Sequence, residues 1–168
     1  MKTNLFIIFL AALLGISQTA LFPNLSILGV RPDLVLLATI TAGLIWGLRY
    51  SILLAIIGGL ALDLSGSGTI GISSVALLPV AMLTSLEALE VVESRLPAML
   101  ILTILGTVLY YLVLMLLFQV TSARLPWLDL LVTMLPLTVL INSMAALPML
   151  GLFWLFSEKF QPEAGRAA

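Results

Sequence analysis

The chain reads as an all-α, polytopic integral membrane protein with six transmembrane helices in one bundle. Three observations predict this. Of its 168 residues, 62% are hydrophobic and only 9% are charged, whereas a soluble domain carries about 25% charged residues. Mean hydropathy is +1.26. Apolar runs recur along the whole chain, and about 20 such residues cross the hydrocarbon core of a bilayer. Too little polar surface is available to coat a water-soluble globule, so the expected solvent is lipid. A formal charge of −1 argues against nucleic acid as a partner. The chain has no Cys and no His. That removes thiol nucleophiles, disulfides, imidazole bases and the usual zinc ligands.

Span 1 covers residues 5–22 and ends at the turn signal Pro23-Asn24. Its Lys2, apolar run and small residues 17–20 also have the form of a secretion signal. The apolar run continues through Leu21 and Phe22, so a retained span is the simpler expectation. Span 2 opens at RPDL and runs to Gly47, with Pro32 in the first turn and Asp33 facing the positive end of the helix dipole. A lone Arg49 at bilayer centre would be costly. A tight hairpin at WGLRYS resolves this, with Trp46 and Tyr50 as interfacial aromatics.

Span 3 covers residues 51–64 and span 4 residues 69–86, where Pro79 predicts a kink. Glu87, Glu90 and Glu93 then fall three apart on one face of a helix end, a pattern suited to a solvated stripe. Span 5 covers residues 97–118. An exposed loop holding Arg124 and Trp127 follows. Span 6 covers residues 130–156, longer than needed, with Pro136 and Pro148 expected to bend it. One domain, residues 1–156, therefore precedes a short polar tail, residues 157–168. With a cytoplasmic N-terminus, Lys2, Arg49, Arg95, Lys159 and Arg166 lie inside and Arg31 and Arg124 outside. This distribution favours cytoplasmic N- and C-termini.

Small residues recur four apart at Ala11 and Gly15, Gly43 and Gly47, and Ala55 and Gly59. Such spacing lets helix backbones approach closely in lipid, inside one bundle or against a partner helix. Asp63 is the sharpest polar feature, because an ionisable group within a span is a functional candidate by default. The Gly/Ser cluster after it must turn at the interface or be sheltered by protein. Asp63 is thus a candidate cap for that turn, a candidate ion-pair partner for Arg31 or Arg124, a partner or ligand contact, or, least in keeping with the composition, a catalytic or proton-relay group. Asn142 lies mid-span, where an amide is expected to bond across to a neighbouring helix or to line a ligand or partner contact. No zinc-protease or phosphate-loop motif is present, and no catalytic, cofactor or metal site is expected.

The order of these features resembles the MreD family, polytopic components of the bacterial rod-shape and cell-wall elongation machinery. The resemblance rests on RPDLVLL, GLRYSILLAIIGGLALDLSGSG and LINSMAALP. Within them Pro32, Asp33, Gly47, Arg49, Gly58, Asp63, Gly66 and Asn142 match the family pattern as it stands in this chain. Family members often carry basic residues between spans 4 and 5, where this chain has Glu87, Glu90 and Glu93. The resemblance implies a non-enzymatic scaffold in the bacterial cytoplasmic membrane. Its implied partners are MreC and, through it, RodA, a class B penicillin-binding protein and MreB. It also implies a fold similar to the six-span substrate-binding subunits of energy-coupling-factor vitamin transporters. A solute-binding subunit of that kind is the alternative function.

Overall fold

The computed structural model of the chain describes residues 2–20, 30–66, 69–85, 95–121 and 130–157. Among these residues the secondary structure is helical, with no strand. The helices are α1 Lys2–Ala20, α2 Leu34–Trp46, α3 Leu48–Ser65, α4 Ile72–Leu83, α5 Arg95–Thr121 and α6 Leu135–Ser157, the last entered through a π-helical turn, Leu130–Met134. Pro136 stands at the second position of α6. Its missing N–H leaves the Val132 carbonyl without the usual helical donor, a place where a helix readily widens. The acidic stripe Glu87, Glu90 and Glu93, the loop residues Arg124 and Trp127, and residues 158–168 of the tail lie outside the described residues.

Three segments are long and apolar enough to cross a membrane: Leu48–Ser65, Leu96–Val120 and Leu130–Leu155. Leu5–Ala20, Leu34–Trp46 and Ile72–Leu83 are shorter apolar helices. At 1.5 Å per residue, α2 is only about 20 Å long, against a hydrocarbon core of about 30 Å. The chain feeding α2 explains part of this. Pro32 lies outside the helix rather than in its first turn, and Asp33 is the N-cap residue.

Short as it is, α2 is the centre of the bundle and packs against each of the other five helices. Every residue from Val35 through Ala42 is buried, the state expected of a helix that is apolar all round. The two hydroxyls in that run are satisfied within the helix: Thr39 donates to the Val35 carbonyl at 2.8 Å and Thr41 to the Leu37 carbonyl at 2.6 Å.

A single residue, Gly47, joins α2 to α3. Its φ of +92° and ψ of 171° form a backbone conformation that essentially only glycine adopts. The hairpin expected at WGLRYS is therefore present, and it makes α2 and α3 antiparallel. The two aromatics there are buried within the protein. Trp46 and Tyr50 are each 5% exposed, with the Trp46 ring 4.9 Å from that of Phe153 on α6 and 6.4 Å from that of Tyr50. Arg49 beside them is exposed and lies 6.0 Å above the Tyr50 ring.

The small residues mark where backbones cross. A side chain at Gly15 would meet Ala61 Cβ at 2.6 Å and the Gly58 carbonyl at 2.9 Å, so α1 and α3 touch there. One at Gly59 would lie 2.5 Å from the backbone of Ser74, fixing the α3–α4 crossing, and one at Gly43 would strike Thr84 after α4. Ala11 and Ala55 are fully buried. These faces are covered by the chain's own helices, not left open for a partner. Gly47 differs from the rest: nothing lies near it, and its role is the turn. With Asp33 near Tyr111 and Thr41 near Met99 on α5, and Asp33 near Asn142 and Trp46 near Phe153 on α6, the contacts set α1, α3 and α5 running one way and α2, α4 and α6 the other.

Candidate functional site

Polar side chains gather at the end of the bundle where α1 finishes and α2 begins. Asp33 is the hub. Its Oδ1 accepts from Gln18 Nε2 on α1 at 2.9 Å, and its Oδ2 accepts from the Tyr111 hydroxyl on α5 at 2.7 Å. Its backbone amide donates to Asn142 Oδ1 on α6 at 2.9 Å. Asn142 Nδ2 in turn donates to Thr107 Oγ1 on α5 at 3.2 Å. The Gln18 side-chain oxygen Oε1 accepts from the Val35 amide at 3.1 Å. Five side chains from α1, the start of α2, α5 and α6 thus form one connected network. Asn142 and Thr107 are fully buried. Groups buried this deeply are stable only when their bonding is complete, and each Asn142 side-chain atom that can bond does so.

A cleft of about 450 Å³ opens beside this network, lined by Gln18, Arg31, Asp33, Tyr111, Met134 and Thr138 among others. Asp33, a residue 9% exposed, lines the cleft, while Arg31 is exposed at the surface. The cleft therefore carries one acidic and one basic side chain within a largely apolar frame.

Asp63 lies in a separate arrangement at the same end. Its Oδ2 accepts from the Gly71 amide at 2.7 Å, and the Ser73 amide reaches both oxygens at 3.2 and 3.3 Å. Gly71 is the N-cap position of α4 and makes no side-chain cap of its own. An acid on the last turn of α3 thus caps the next helix and meets the positive end of its dipole. This is the first of the roles expected for Asp63, a cap on the turn it precedes. Arg124 lies outside the described residues.

Of the residues nominated from sequence, Asp33 and Asn142 are brought into contact, and Arg31 lines the same cleft. Gln18, Thr107 and Tyr111 were missed. The signal was available: each is a polar group inside an apolar helix, the same reason that singled out Asn142. Among the described residues, no group of three His, Cys, Asp or Glu side chains could hold a metal ion. Comparison with protein-family models, curated proteins and solved structures gave no match.

Proposed function

We propose that the chain is a non-enzymatic membrane scaffold of the MreD type, serving the bacterial cell-wall elongation machinery. The observation that carries this reading is the direct bond between Asp33 and Asn142. Two separate segments that carry the resemblance, RPDLVLL and LINSMAALP, meet at one junction. Two residues that match the family pattern thus meet at one junction, which supports the reading.

In this reading the protein sits in the cytoplasmic membrane, all six helices lie in the bilayer and both termini are cytoplasmic. The shorter helices are accommodated by polar flanks and local thinning. The partner is MreC, which links the chain to RodA, a class B penicillin-binding protein and MreB. Because the small-residue faces are occupied internally, the partner helix meets apolar faces left outward, such as Leu5, Phe9 and Ile16 on α1.

Copurification of the tagged full chain from native membranes, with partners identified by mass spectrometry, tests the reading. MreC is the expected partner, and its absence from a preparation whose starting membranes contain it overturns the proposal. Orientation is read separately. The chain has no Cys, so a single cysteine at Arg49 should resist an impermeant maleimide in intact cells and one at Arg124 should react.

The cleft beside Asp33 favours one second reading, a solute-binding transporter subunit, since its volume falls in the range of small-molecule sites. Thermal stabilisation of the purified protein by a member of a vitamin panel, with no MreC recovered, would select it.

A further inference from the structure

Asp33 stands at the N-cap of α2, yet its carboxylate makes no hydrogen bond to that helix. An Asp in this position ordinarily accepts from an amide of the first turn. Here Gln18 performs that task, by accepting from the Val35 amide. The carboxylate is left to line the cleft, held in place by one bond from Gln18 and one from Tyr111. A carboxylate offers about four acceptor positions, so among the described residues these two bonds fill about half of them. Both of its side-chain donors are neutral. A buried anion is costly until a cation completes its shell, and this one is oriented by side chains from two other helices. Leu62 and Met134 supply apolar wall, and Arg31 lines the same cleft.

We propose that this cleft binds a zwitterionic ligand through a primary ammonium group received by Asp33, the ligand being an aminophospholipid headgroup. The ammonium completes the carboxylate's hydrogen bonds, Arg31 complements the phosphate, and the apolar wall takes the start of the lipid's glycerol and acyl region. A soluble phosphoethanolamine has the same headgroup chemistry. The site does not depend on the scaffold reading and can fail without it.

The test uses the purified full chain, exchanged into detergent containing phosphatidylethanolamine, phosphatidylcholine or phosphatidylglycerol, with retained lipid counted by native mass spectrometry. The wild-type chain should retain phosphatidylethanolamine at least tenfold over phosphatidylglycerol, which has no amine. It should also prefer it to phosphatidylcholine, whose methylated nitrogen cannot donate a hydrogen bond. D33N should lose this retention at least tenfold. M134W, which fills the cleft and removes none of the network's hydrogen-bonding groups, should lose it equally and decides the matter if D33N does not fold. Equal retention of all three lipids by the wild-type chain overturns the proposal. So does unchanged retention of phosphatidylethanolamine in folded D33N or M134W. Displacement of the lipid by free phosphoethanolamine would keep the ammonium site and assign it to a soluble ligand. Resistance to displacement assigns it to the lipid.

Discussion

The side chain of Asn142 accepts a hydrogen bond from the backbone amide of Asp33, 109 residues away, at 2.9 Å. It spans from α6 to the entry of α2, the helix that every other helix contacts. Removing Asn142 leaves that amide and the Thr107 hydroxyl without these partners in a buried site. Asn142→Ala should cost about 1–3 kcal/mol for each group left unsatisfied. Unfolding in detergent, followed by circular dichroism, checks this. Ser143→Ala, one residue on and without such a network, should change stability far less.

The capping role of Asp63 predicts a local effect. Asp63→Ala should cost about 0.5–2 kcal/mol, the usual range for loss of a helix cap. Hydrogen exchange should quicken at Gly71 and Ser73 before it does at residues buried in α4, such as Leu77. Unchanged exchange at those two amides would remove the capping role.

Crossing glycines should separate sharply from an open one. A methyl group at Gly59 meets backbone atoms of Ser74, which cannot rotate away. Gly59→Ala should therefore destabilise by about 1–3 kcal/mol, as overpacking does. Gly151 on α6 has open space around it. Gly151→Ala should be neutral or stabilising by about 0.5–1 kcal/mol, because alanine is the better helix former. Thermal unfolding of the two variants side by side gives the comparison.

Gly47 should fail for a different reason. No atom lies within contact of an added methyl group, but the backbone conformation is one that side chains disfavour. Gly47→Ala should cost about 1–3 kcal/mol and loosen the packing of Trp46 on Phe153 at the same end of α2. Tryptophan fluorescence of the folded variant should report that loosening.

Much of the helix layout was legible. The expected spans at residues 51–64, 97–118 and 130–156 lie within the helical segments Leu48–Ser65, Arg95–Thr121 and Leu130–Ser157. Long apolar runs leave the backbone little choice but helix, because only a helix satisfies its own polar groups away from water. The hairpin was legible too, since Gly47 and Arg49 interrupt an apolar run too long for one crossing. Span 2 was read too long at its start, because Pro and Asp suit the first turn of a helix as well as the residues just before it; Pro32 precedes α2 and Asp33 is its N-cap. Aromatics near a turn often lie at a membrane interface, the position expected for Trp46 and Tyr50; both are buried within the protein, Trp46 against Phe153, more than 100 positions away.

The sequence by itself determined the helical class, the turn at Gly47 and the few polar residues that must find partners. Composition and local pattern carry those, because apolar burial and backbone satisfaction act on short stretches. Which polar residues meet was decided only by the tertiary structure. Gln18, Asp33, Thr107, Tyr111 and Asn142 form one network because α1, α2, α5 and α6 converge at one end of the bundle. Asp63, more conspicuous in sequence, caps a turn eight residues away. A hydrogen bond across the bundle depends on helix packing, and packing depends on every crossing at once. No short stretch of the chain contains that information.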